Sequence, residues 1–288
     1  MSATLATRRT RSGGEARLRA RDIGWTLLAL IITGLMLFPF YWIVNISFMH
    51  QTDILHYPPP FIPPRPTLDG YQHALATAGE YIRSSLIYGL GTVAAMLLVA
   101  TPAAYALARV RARIGSILLF ALILAQMAPG IVVANSLYAA FSHLGILNSY
   151  LAVILADSTI AVPFAIIVMR AFMIGIPREL IEAAIVDGAG HWRIFQSIVL
   201  PLSRTALITA SLFSFLFGWG DFLFALILNN DPHHTPITVG IYRFIGSFSV
   251  EWPAVMATAV IASIPATFLL AIAQRYIAAG ITAGALKE

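Results

Sequence analysis

Two aspartates stand where charge is costly. Asp157 and Asp221 each lie inside a long apolar run, and a carboxylate in such a run is a functional candidate by default. Three readings are open for each: it lines a path for a solute, it makes an internal hydrogen bond between helices, or it sits near the membrane interface. Asn135, Tyr138, Trp219 and Phe224 offer amide contacts and aromatic faces of the kind that hold a sugar ring. The same side chains also serve as packing or as interface anchors. Asn229 and Asn230 read as simple helix caps. Covalent chemistry finds no constellation. The seven histidines are scattered without a His-x-x-x-His spacing, His233-His234 reads as an exposed pair, and no Ser-His-Asp, paired-carboxylate or metal-ligand set stands out. The absence of cysteine excludes disulfides, thiolate metal sites and cysteine nucleophiles. The only lysine is Lys287. A phosphate-cradling loop needs a lysine after a glycine-rich turn, so any ATP-driven work falls to another chain, and this one binds no nucleotide or metal cofactor of its own.

The elements that must position these residues are membrane helices. Hydrophobic residues make up 59% of 288 and charged residues 11%, against about 25% charged in a soluble domain. Such a chain cannot cover itself with polar surface, so lipid is its main solvent. A spanning helix needs about 20 mainly apolar residues, and six stretches qualify: 23–48, 84–108, 116–136, 150–172, 203–228 and 252–277. The fold class expected is therefore all-α integral membrane, with a cytoplasmic tail 1–22, a six-helix domain 23–277 and a C-terminal tail 278–288. The third stretch contains Pro129-Gly130, which is expected to bend it. Pro102, Pro163 and Pro265 also fall inside spans, where neighbouring helices can re-satisfy the backbone groups that they free.

Arginine counts orient the bundle. The first tail holds Arg8, Arg9, Arg11, Arg17, Arg19 and Arg21, and the second and fourth connections with their flanks hold seven more. With Arg275 and Lys287 this makes fifteen basic residues on one side, against Arg65, Arg83 and Arg243 on the other. N-in, C-in follows. The formal charge of +5 is thus an orientation signal and not the footprint of nucleic acid. On the outer side, the prolines 58–60, 63 and 64 favour an extended path, and 71–82 reads as a helix at the membrane surface. The 229–251 connection, with Asp231-Pro232 and Pro236, reads as a turn-rich loop.

The inner segment 173–202 is longer than a connection needs to be. Pro177 suits a first helical turn, and Glu179 and Glu182 complement the positive helix end. Leu180, Ala183 and Ala184 share one face. Asp187-Gly188 stops this helix, glycine being free to take a positive φ. Trp192, Phe195, Ile198 and Val199 give a second helix an apolar face, and Pro201 falls where the fifth span begins. The product is a helix–turn–helix elbow.

Its spacing, Glu182-Ala183-Ala184, then Gly188, then Ile198 and Leu200-Pro201, is similar to the EAA signature of binding-protein-dependent ABC importer permeases. Asp187 and Ala189 also match. The likeness extends to Asn148-Ser149-Tyr150, to Trp219-Gly220-Asp221-Phe222, and to the ending Gly280-Ile281-Thr282-Ala283-Gly284-Ala285-Leu286-Lys287. That ending resembles carbohydrate-uptake permeases, in particular the smaller membrane subunit of maltose transporters. The chain departs from the pattern in its Lys-Glu terminus and in Gly220, where asparagine is common. The resemblance implies that the elbow is a coupling helix seated on an ATPase, with Glu182 pairing a basic group there and Gly188 setting the turn. It further implies a homologous second permease, two ATPase subunits carrying ATP and Mg, an extracytoplasmic solute-binding protein, a sugar as cargo, and a bacterial or archaeal inner membrane. Glycerol phosphate esters or another polyol are the alternative cargo. An ion-coupled secondary transporter is the alternative class, disfavoured because no repeat relates the first three spans to the last three.

Overall fold

The computed structural model describes the backbone of residues 6–245 and 250–285. Its elements are α1 (Ala6–Ser47), α2 (Gln51–Ile54), α3 (Asp69–Arg109), α4 (Ala112–Ala125), α5 (Gly130–Leu144), α6 (Tyr150–Ile174) and α7 (Arg178–Val186). They continue with α8 (His191–Ile194), a π-helical turn (Phe195–Val199), α9 (Leu200–Leu202), α10 (Arg204–Gly220), α11 (Leu223–Leu228), α12 (Ile237–Arg243) and α13 (Trp252–Ala285). Among the described residues, four helices are long and apolar enough to cross a membrane. Two bent pairs, α4 with α5 at 90° and the α8–α9 arm with α10 at 78°, raise the number to as many as six if each is one span. The side chains of the Arg8–Arg21 tail, of Arg243 and of Arg275, and the ending at Leu286, Lys287 and Glu288, lie outside the described residues.

Several boundaries differ from the sequence reading for physical reasons. Residues 71–82 form no separate surface helix, because α3 runs unbroken from Asp69 to Arg109. Ala74 and Ala78 are buried, so this first part packs onto the bundle like the rest. Likewise α1 starts at Ala6, well before the apolar run. Pro102, Pro163 and Pro265 sit inside continuous helices, whereas Pro129 stands at the break between α4 and α5, as the N-cap of α5. The fifth stretch is not one helix. It stops at Gly220 and restarts at Leu223 with no proline present.

The core is built on α3, which packs along α6, α10 and α13. Small residues set the spacing. A β-carbon on Gly218 of α10 would lie 2.8 Å from the Tyr88 carbonyl oxygen and 3.0 Å from the Gly89 α-carbon. The two helices therefore meet backbone to backbone, the close approach that gives a membrane helix pair its dispersion energy. Toward the arginine-rich end, Met96, Ala100, Ala104, Ala165, Met169, Ala206 and Ala210 form one cluster. Toward the other end, Tyr88, Phe141, Val153, Phe224 and Leu228 form a second. In contrast, α1 is exposed along residues 22–41 and becomes buried only at Asn45, Ile46, Ser47 and Met49.

Candidate functional site

The elbow at the arginine-rich end is made by a backbone device. Ala189 N–H donates to the Ala184 carbonyl at 2.9 Å and Gly188 N–H to that of Ile185 at 3.0 Å. This paired 6→1 and 5→2 arrangement is a Schellman turn. It requires a left-handed residue, and Gly188 supplies it with φ +83°. No atom lies within 4 Å of where a Gly188 β-carbon would sit, so conformation alone demands the glycine. Beyond the turn the arm is anchored by packing. Ile194, Phe195 and Val199 are buried among Leu107, Met173 and Ile176, and Ile181, Ala184 and Ala189 pack on the same cluster. Burying a side chain of this size from water contributes roughly 1.5–3 kcal/mol, which is enough to hold a nine-residue helix that would not persist alone. Arg170 Nε donates to the Leu107 carbonyl at 3.2 Å and ties α6 to the end of α3 beneath it.

The inward face of α7 is thus Ile181 and Ala184; of the expected face, Leu180 and Ala183 turn outward. The outward surface is apolar with acid at its edge. Val186 is 86% exposed and Trp192 66%; Leu180 and Ile185 join them, and Glu182 and Asp187 stand beside them in solvent. Among the described residues, neither carboxylate has a hydrogen bond or an ion pair.

A second polar site lies inside the bundle. Asp157 on α6 is buried, with Thr92 of α3 and Asp221 as its polar neighbours. Among the described residues, one Asp157 carboxylate oxygen and the Thr92 hydroxyl have no partner at hydrogen-bond geometry. Asp221 is fully engaged. Its carboxylate accepts from Phe224 N–H at 3.2 Å and Ala225 N–H at 2.7 Å, and its carbonyl accepts from the Thr238 hydroxyl. It caps α11 and is the reason that the chain can restart a helix there without orphaned donors.

The family follows from comparison with known proteins. Residues 96–283 match the model of the binding-protein-dependent transport system inner membrane component. The chain belongs to this family. A probable ABC transporter permease of Sinorhizobium fredii is 36% identical over 269 residues, covering 93% of this chain and 96% of the relative. A trehalose/maltose transport system permease of Thermococcus litoralis is 31% identical, covering 92% and 95%. A sulfoquinovosyl glycerol transport system permease of Agrobacterium fabrum is 30% identical, covering 90% of each. The fold matches a crystal structure of a bacterial ABC transporter involved in alginate import, with TM-score 0.76 at 21% identity, over 90% of this chain and 96% of that one.

In this permease the sequence candidates separate into two groups. Asn135 and Tyr138 lie on the exposed side of α5. Asp157, Trp219, Asp221 and Phe224 face the chain's own interior. Trp219 stacks on Phe215 at 5.8 Å and its indole N–H donates to the Ala262 carbonyl at 3.1 Å, joining α10 to α13. The His233-His234 pair is exposed only in its first member. Its second is half-buried, with its ring 4.3 Å from that of Tyr150 and its Nδ1 2.9 Å from the Asn148 carbonyl. The Asn229 amide is more than a cap: it donates to the His234 carbonyl at 2.9 Å, beside the Tyr88 hydroxyl, which reaches the same oxygen at 2.7 Å. Ser84, Thr92 and Tyr88 escaped the sequence reading. The small polar positions of α3 recur along one side of an otherwise apolar run, and that recurrence was the available signal.

Proposed function

We propose that this permease is the smaller membrane subunit of an ATP-driven sugar importer and that its elbow is the seat of the ATPase. The observation that carries this is the outward face of α7 with Trp192, an apolar patch edged by unpaired carboxylates on a rigid turn. A patch of that kind on a short helix held by packing marks a contact surface. The bent α4–α5 pair is one span and α10 with α11 another, giving six spans with the α8–α9 arm left in the elbow, N-in and C-in, across the inner membrane of a bacterium or archaeon. A homologous second permease completes the solute path. Two ATPase subunits bind ATP and Mg and, on closing, push the elbows. The path then opens toward an external binding protein that delivers the sugar. The chain performs no covalent chemistry. Sugar as cargo is supported by the trehalose/maltose relative and by a diacetylchitobiose permease of Streptomyces coelicolor that is 30% identical. The relative named for sulfoquinovosyl glycerol supports a glycerol-bearing or polyol cargo as the second reading.

The cysteine-free sequence makes the test simple. Single cysteines at Asp69, Glu182 and His233 are introduced, and intact cells are treated with an impermeant thiol reagent. Positions 69 and 233 are expected to react and 182 to stay silent. In inverted vesicles, position 182 is expected to react only after the ATPase subunit is stripped. Reaction at 182 in intact cells inverts the topology, and reaction unaffected by the ATPase removes the coupling role.

A further inference from the structure

The broken third span carries a feature that none of the sequence candidates explains. Between α4 and α5 the carbonyls of Gln126, Met127 and Ala128 accept no hydrogen bond from any described residue. Residues 123–129 are all exposed in this chain. Their depth follows from helix geometry. The fourteen residues of α4 rise at most about 21 Å from the arginine-rich end, which keeps the break inside a hydrocarbon layer of about 30 Å. Irregular backbone at that depth is tolerated only where protein buries it or water reaches it, because lipid cannot satisfy its carbonyls.

A cavity of about 270 Å³ opens at this break, near the lower end of ligand-pocket sizes, roughly 300–1,000 Å³. Gln126 and Thr159 supply its polar side chains, with Gly130, Val133, Ile160 and Phe224 as apolar walls and no charged residue in the lining. The Thr159 hydroxyl already donates to the Ala156 carbonyl at 2.7 Å, so it has only acceptor capacity to offer. The free carbonyls of Gln126 and Ala128, both in the lining, are acceptors as well, and the Gln126 amide adds two donors and an acceptor. The site is therefore rich in acceptors and uncharged, which matches a neutral solute dense in hydroxyl donors.

We infer that the break at residues 126–130 lines the solute path and that Gln126, Thr159 and the free carbonyls hold the hydroxyls of a neutral sugar or polyol. This rests on the importer reading and assigns the contact to a place other than the buried Asp157 and Asp221.

The experiment uses the assembled transporter with single cysteines at Gln126, Thr159 and, as a lipid-facing control, Leu98, which is 77% exposed on α3. A cationic methanethiosulfonate reagent is applied without nucleotide and after trapping with ATP and vanadate. Positions 126 and 159 are expected to react about tenfold faster than 98 in at least one state, since only they meet water. Trehalose or maltose, delivered on the binding protein, is expected to slow both reactions. Gln126→Leu is expected to raise the KM of uptake about five- to tenfold, the effect of one lost hydrogen bond. Silence at 126 and 159 in both states overturns the inference, placing the break against protein. Reaction without protection, in an assembly that takes up the sugar, overturns the solute contact. An assembly that takes up neither sugar counts against the proposed cargo, and labelling alone then decides where the break lies.

Discussion

The elbow and the 229–238 loop are both short polar segments at opposite ends of the bundle, yet they are held in opposite ways. In the elbow, side chains contribute packing on one face only, and the turn is closed by backbone bonds around Gly188. Its acids remain unengaged. In the loop nearly every polar group is consumed. Asn229 holds the Asp231 amide and the His234 carbonyl, Asn148 holds the Asn230 amide, and Asp231 holds that of His233. From the bundle, Ser84 and Tyr150 hold the His233 carbonyl and Ser85 the Ile237 amide. A segment that spends its polar groups internally is fixed in shape, whereas one that leaves them free has capacity for a partner. Substitutions in the elbow should therefore alter attachment with little effect on the fold, and those in the loop should do the reverse.

The sharpest test of this contrast is Glu182→Ala. Removing one partner of a partly desolvated interface charge pair costs about 2–5 kcal/mol. ATPase co-purification and stimulated hydrolysis are expected to fall at least about tenfold, with insertion and melting temperature of the chain unchanged. Normal attachment would end the contrast. Gly188→Val comes next, with strain of roughly 1–2 kcal/mol at the left-handed position. Because the space around Gly188 is empty, Gly188→Asn is expected to restore most of the hydrolysis rate. Asn fits the conformation, and failure to rescue would mean that the partner needs the space.

On the loop side the signs exchange. Asn229→Ala leaves the Asp231 amide without its acceptor and takes one of two donors from the His234 carbonyl, and is expected to destabilise the chain by about 1–3 kcal/mol, read as a lower melting temperature in detergent with ATPase attachment intact. Asp221→Asn keeps one acceptor but turns the other into an amide donor facing an α11 N–H, at a cost of about 1–3 kcal/mol. A larger loss in uptake than in stability would return Asp221 to the solute path. His233→Ala is the smallest, within about 0.5 kcal/mol, and His234→Ala should exceed it because its ring packs on Tyr150. Equal effects would contradict the described burial.

The elbow was legible because its information is local. A proline, two early acids, a glycine at the turn and an apolar second arm each act within a few residues of themselves. The four long apolar helices were legible for the same reason, each being its own apolar run. What escaped depends on facing. The run of α6 is apolar on every side, so no periodicity tells whether Asp157 points to a path or to Thr92. The break at Asp221 is hidden because Trp-Gly-Asp-Phe reads as one more apolar stretch, while the decisive bonds run from the carboxylate to amides that exist as free donors only once the helix has broken. Proline was a poor guide for a related reason: Pro102, Pro163 and Pro265 are accommodated inside continuous helices, and only Pro129, on an exposed stretch, stands at a break, where it opens α5.

The exposed length of α1 has a consequence for how the chain meets bilayers of different thickness. The segment Asp22–Ser47 has 26 residues, about 39 Å of helix against about 30 Å of hydrocarbon. A helix packed along its length takes its inclination from its neighbours; one exposed along residues 22–41, and held by α13 and near Asn45–Met49, takes part of it from the lipid. Within this chain α1 is a lever with its fulcrum at one end, and a thinner bilayer will lean it over while the α3–α6–α10 core stays upright.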